Sequence, residues 1–163
     1  MLRVTKLLRG REVDVTRVVD VVVLNFERRR HCHGTLLGTK GTRLLVAFAE
    51  PTPLHGGDGL LLDTGDIVEV AAEPEALLEI RATHRTTLAR IAWALGDRHV
   101  PVQILSDRLR FRPDATLAAL LRDLGGKAEA IVAPFDPEGG AYRSDAGAHH
   151  HHHREAAGKP SSP

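Results

Sequence analysis

Three stretches of this chain carry side chains that bind metal ions. The first is Gly96-Asp97-Arg98-His99-Val100-Pro101, where a helical pattern ends and the chain turns toward a strand. Neutral imidazole is the commonest protein metal ligand, so His99 is a candidate. The same position suits an imidazolium that the dipole of the preceding helix would favour. One imidazole does not make a stable site, since nickel or zinc takes about four to six ligands. A twofold dimer would bring two copies of His99 together near its axis. Such a site is open and poor in ligands, which suits a protein that must release its metal.

The second stretch is the run His149, His150, His151, His152 and His153, half of the 10 histidines in the chain. A run of this kind on a loose tail binds nickel, copper or zinc. It differs from an affinity tag in being shorter, in being followed by Arg154 to Pro163, and in its flanks. Only the neutral ring binds, so affinity should fall steeply below about pH 6.5. The third stretch is His31-Cys32-His33. On a strand, His31 and His33 would share one face and Cys32 the other. The triple arginine Arg28 to Arg30 just before them opposes a cation there, so two exposed strand histidines are expected instead. His55 and His84 stand alone and read as surface residues. Asp63-Thr64-Gly65 has the letters of an aspartic-protease motif, which works as two carboxylates sharing a proton. The adjacent Asp66 would oppose that sharing, and a hairpin turn accounts for the same residues. There is no Gly-rich phosphate loop, no Gly-x-Ser-x-Gly elbow and no zinc-finger cysteine pair.

The elements that must position these groups fall into two parts. Val18 to Leu24, Gly34 to Leu37, Arg43 to Phe48, Gly59 to Leu62 and Ile67 to Val70 read as short strands. Turn clusters at Gly38-Thr39-Lys40-Gly41 and Asp63-Thr64-Gly65-Asp66 make two hairpins of four of them, and Pro51 and Pro53 interrupt the pairing. Phe26 to Arg30 reads as a polar, exposed strand or strand end. Ala71 to Glu75 reads as a linker. Beyond it, Ala76 to Arg81 is a strand. Leu88, Ile91, Ala92 and Leu95 then recur at helical spacing, with Thr86 or Thr87 as the cap and Gly96 as the stop. Val102 to Ile104 and Arg108 to Phe111 are short strands. Asp114 caps a second helix striped by Leu117, Leu120, Leu121 and Leu124, and Ala128 to Ala133 is the last strand.

The expected fold class is therefore α+β. A small all-β domain spans 1–74, a ferredoxin-like βαββαβ domain spans 75–142, and a disordered His-rich tail spans 143–163. Two helices should cover one face of the second sheet, leaving the other open or covered by a partner.

With 22 Lys and Arg against 21 Asp and Glu, the net charge of +1 gives no electrostatic case for nucleic acid or membrane binding. The βαββαβ strands also lack the stacking aromatics of an RNA-recognition sheet. The single cysteine rules out an internal disulfide. Without an apolar leader or a run long enough to span a bilayer, a cytoplasmic protein is expected.

Taken together, several of these stretches resemble a known family. They are Gly96-Asp97-Arg98-His99-Val100-Pro101-Val102-Gln103-Ile104, Asp107-Arg108-Leu109-Arg110, Asp114 with its leucine-striped helix, Pro134-Phe135-Asp136-Pro137-Glu138-Gly139-Gly140-Ala141-Tyr142, and the histidine run. The chain resembles the UreE family of urease accessory proteins, which are nickel metallochaperones. The resemblance covers essentially the whole chain and is strongest from Ala76 to Tyr142. It implies a non-enzymatic protein with an N-terminal β domain that binds partners. It also implies a homodimer formed through the C-terminal domains, and a role in delivering nickel to apo-urease. The metal-binding histidine of the family falls on His99, with extra nickel capacity in the tail. The resemblance further implies exchange of nickel with the urease GTPase UreG and service to the urease activation complex. Two departures stand out. Asp97 replaces the usual Asn. Arg112, Pro113 and Ala115 stand where some members carry histidines, so an auxiliary site is not expected. His31 and His33 are outside the family pattern.

Two rival functions fit the residues alone. One is general storage or detoxification of nickel, copper or zinc, because imidazole sites discriminate weakly among these ions. The other is a metallohydrolase built from His31, His33 and His99, which requires the three to meet.

Overall fold

Leu44 and Val46, Leu60 and Leu62, and Val68 and Val70 are buried while the residues between them are less so. That period of two lets a strand bury one face. In the computed structural model, which describes residues 1–50, 52–114 and 116–139, they lie in a six-stranded sheet. Its strands are β1 (Leu2–Leu8), β2 (Val18–Leu24), β3 (Gly34–Leu37), β4 (Arg43–Val46), β5 (Gly59–Leu62) and β6 (Ile67–Ala72), in the order β2-β6-β5-β1-β4-β3. The two expected hairpins are present as the antiparallel pairs β3–β4 and β5–β6. Asp63-Thr64-Gly65-Asp66 is the β5–β6 turn, with Gly65 at φ 89° and the Thr64 hydroxyl donating to Asp66 at 2.9 Å. β1 runs through the middle, parallel to β4 and antiparallel to β5. β2 pairs in parallel with β6. Pro51, Ala115 and the whole expected tail at 143–163, including His149 to His153, lie outside the described residues.

Two expectations for this half are corrected. Phe26 to Arg30 is not a strand but a short helix, α1 (Phe26–Arg30). The Asn25 side chain accepts from the Arg28 amide at 2.9 Å and so caps it. Five mostly polar residues are too few to show a helical period, which is why the pattern misled. Ala71 to Glu75 is not a linker either. β6 continues to Ala72, and the next strand begins at Pro74. Proline is tolerated at the first residue of a strand, where its missing N–H costs little. Only Glu73 separates the two, and its amide donates to the Leu24 carbonyl at 2.9 Å.

The second sheet is built from β7 (Pro74–Arg81), β8 (Gln103–Ile104), β9 (Leu109–Phe111) and β10 (Lys127–Pro134), in the order β10-β7-β9-β8, all antiparallel. Helix α2 (Arg85–Asp97) follows β7 and α3 (Leu117–Asp123) follows β9, giving the expected βαββαβ order. Leu88, Ile91 and Leu95 of α2 and Leu117 and Leu121 of α3 pack against Ile80, Leu109 and Phe111 of the sheet. Asp114 accepts from the Thr116 amide at 2.7 Å in the turn ahead of α3, which begins at Leu117.

Strand alternation sends Glu79 to the face away from the helices. There Glu79 is only 7% exposed and accepts from Arg110 Nε at 2.9 Å and from Arg81 Nη2 at 2.8 Å. Burial alone would raise its carboxyl, but the bonds from Arg110 and Arg81 outweigh that and hold it below its ordinary range. Around Glu79, the face expected to be open or covered by a partner thus carries the side chains of Arg81 and Arg110.

Candidate metal-binding site

Helix α2 was expected to stop at Gly96. It continues to Asp97, with Arg98 as the C-cap. The end is built by two backbone bonds, from the His99 amide to the Gly96 carbonyl at 2.9 Å and from the Val100 amide to the Leu95 carbonyl at 3.0 Å. This is a Schellman ending, and Val100 packs onto the same core as Leu95. It places His99 at the position just past the cap with φ 55°, the one non-glycine residue with positive φ among the described residues. Glycine normally fills that position, because a Cβ there costs roughly 1–2 kcal/mol. A strained residue kept where glycine would be cheaper points to a use for its side chain. His99 is exposed, beside an open cleft lined by Ala76, Val100, Pro101, Arg112, Pro113 and Asp114. Asp114 is committed to its own turn. The hydroxyl and amide of Thr116 bond its carboxylate and hold it below the ordinary range.

The remaining histidines are arranged differently from what their letters suggested. His31 and His33 are exposed, as expected, but they lie in the turn after α1 rather than on a strand. Cys32 between them is half-buried against the first core, and that burial pushes its thiol up. Among the described residues no group of three or more His, Cys, Asp and Glu side chains is placed to hold a metal ion. His31, His33 and His99 therefore do not assemble, and the hydrolase alternative loses its site. His84 is exposed at the N-terminus of α2, without a side-chain capping bond, and Thr86 and Thr87 lie inside the first turn rather than at the cap. His55 is not isolated: its Nδ1 lies 3.0 Å from Asp136 Oδ1. The two are 81 residues apart, and no local pattern announces the pair.

One feature of the helices was not singled out by sequence reasoning. Trp93 of α2 is 73% exposed, the most exposed large apolar side chain of its half apart from Val132. With Ala89, Ala94, Leu120 and Leu124 it lines an apolar groove between α2 and α3. It lies on the helix that ends at His99. The signal was available, because Trp93 falls off the Leu88, Ile91, Leu95 stripe.

A mixed β sheet followed by a βαββαβ unit, with a histidine fixed just past a helix end, defines an α+β protein. Comparison with known sequences places it further. Residues 75–159, more than half of the chain, match the family described as UreE urease accessory protein, C-terminal domain. The urease accessory protein UreE of Rhodopseudomonas palustris (strain HaA2) is 50% identical over 123 residues, covering 76% of this chain and 57% of that protein. Those of two Bradyrhizobium strains, BTAi1 and ORS 278, are 44% and 42% identical and cover 87% and 91% of this chain and 68% and 70% of theirs. The chain belongs to the urease accessory protein UreE family. It spans 57% of the length of the first of these relatives and somewhat more than two thirds of the other two. These relatives are named as urease accessory proteins. Among the described residues no helix is long and apolar enough to cross a membrane.

Proposed function

We propose that the chain is a nickel metallochaperone that delivers nickel to apo-urease during assembly of its metal centre. The observation that carries this is the placement of His99. An imidazole stands at a strained, glycine-favouring position, exposed and just past the end of the helix that carries the Trp93 face. Two chains paired through residues 75–142 would bring two His99 rings to one axis, where they hold a single ion. His149, His150, His151, His152 and His153 complete its coordination or carry further ions. Zinc and copper are the other ions such imidazoles accept in vitro. The domain at 1–74 binds partner proteins, and nickel is exchanged with the urease GTPase UreG within the cytoplasmic activation complex. Both roles rest on membership of the family.

Nickel titration by calorimetry tests the reading. His99→Ala is expected to abolish one tight site per dimer. Removal of residues 149–163 is expected to lower the number of ions bound while sparing that site. Unchanged tight binding in His99→Ala would remove the axial site. Loss of all binding on truncation would leave the tail as the only site.

A further inference from the structure

After β10 the chain does not run free of the sheets. Phe135 is buried and meets the Phe26 ring of α1 edge-on, with centroids 5.3 Å apart. Asp136 follows, and one of its oxygens serves two partners. Arg29 Nη1 donates to Oδ1 at 2.8 Å, and His55 Nδ1 lies 3.0 Å from the same atom. Arg29 is only 1% exposed and also donates to the carbonyls of Leu24, Leu54 and Phe135. The other end of the segment is tied just ahead of β8, where the Glu138 amide donates to the Val102 carbonyl at 2.9 Å. Residues 135–138 therefore strap α1 and the loop carrying His55, in the half with the six-stranded sheet, to the segment that leads into β8 in the other half.

The two grips on Asp136 differ in kind. A guanidinium keeps its charge throughout the pH range in which proteins fold. His55 is 42% exposed and can exchange its proton near neutrality. The charged groups that face it are Asp136, Asp58 and Arg9, with Arg29 behind Asp136. Asp136 is the nearest and dominates.

We propose that Arg29, His55 and Asp136 form a proton-responsive latch between the two halves, with Arg29–Asp136 as the permanent fastening and His55 as the adjustable one. When His55 loses its proton, the charge-assisted part of its bond is lost. Neutral His55 can still donate from Nδ1, so the strap loosens rather than detaches. The strap is also the root of the chain that leads to His149, so the latch sets how firmly that root is held.

The direction with pH follows from the two ends. The hydrogen bond to Asp136 raises the His55 pKa against the effect of burial. Burial would raise the Asp136 carboxyl, but its bonds to His55 and Arg29 outweigh that and keep it low. The His55 contribution is complete below about 6.5, the ring's ordinary pKa, and is lost as pH rises through the higher folded value.

Hydrogen exchange of the full-length protein without metal, corrected for intrinsic rates, tests this independently of nickel binding. Between pH 5.5 and pH 8.5, protection in residues 133–139 is expected to fall about two- to fivefold relative to residues 66–72. His55→Gln should remove that pH dependence while keeping the fold. Asp136→Asn should lower protection at every pH. A wild-type profile with no relative change, an unchanged profile in His55→Gln, or full protection in Asp136→Asn would each overturn the latch.

Discussion

At the scale of single residues, His99 is where local structure and function pull apart. Its backbone satisfies the end of α2 through the Gly96 and Leu95 carbonyls, and any residue able to adopt φ 55° would do that work. Glycine would do it with less strain. His99→Gly is therefore expected to stabilise the fold by about 0.5–1 kcal/mol, read as a higher urea midpoint at unchanged slope. The same variant should lose the tight nickel site. A lower midpoint would mean that the imbalance at this position is not one of backbone strain. The chemistry of His99 was legible in the sequence, because an imidazole before Val100-Pro101 at the end of a helical stripe is a local pattern. Its left-handed conformation was not, because the helix runs one residue past the glycine that should have ended it.

At the scale of elements, the buried Asp20 carboxylate shows how the first sheet protects an edge. β2 is an edge strand, and unpaired edges invite wrong pairing. The β3–β4 turn folds over it, with the Thr39 amide donating to the Val21 carbonyl at 2.8 Å. Asp20 pins the turn by accepting from the Val21, Lys40 and Thr42 amides at 2.7, 2.9 and 3.0 Å and from the Thr39 hydroxyl at 3.1 Å. Gly38 is required beside it, since a Cβ there would sit 2.1 Å from Asp20 Oδ2. Burial would raise the Asp20 carboxyl, but the donors from Lys40, Thr42 and Val21 outweigh it and hold the group far below its ordinary value. Its contribution is complete above about pH 4 and is lost as pH falls toward the folded pKa. Asp20→Asn should cost roughly 2–3 kcal/mol near neutral pH and flatten the acid limb of stability against pH, measured by urea unfolding at several pH values. An acid limb as steep as that of the wild type would place the sensitivity elsewhere. The hairpins and the two long-period helices could be read from the sequence. α1 could not, because its evident run of arginines hides a buried one.

At the scale of the whole molecule, the dimer proposed above is expected to pair through the apolar groove between α2 and α3. An exposed aromatic anchoring an interface is worth about 2 kcal/mol or more. Trp93→Glu should raise the dimer dissociation constant by at least about thirtyfold, read by light scattering across a dilution series. Nickel stoichiometry at the tight site should fall with it. A variant that stays dimeric at low concentration would put the contact on another face.

Local rules in the sequence determined the periods of the strands and of α2 and α3, the hairpin turns, the βαββαβ order and the candidacy of His99. Each depends on neighbours within a few positions, where alternation, capping and turn chemistry act. Tertiary structure alone decided the pairs made across long separations. It placed β1 between β4 and β5, buried Arg29 against Asp136, joined His55 to the same carboxylate, and brought Arg110 to Glu79. A buried charge is tolerated only when the fold brings its partner, and that partner can come from any distance along the chain.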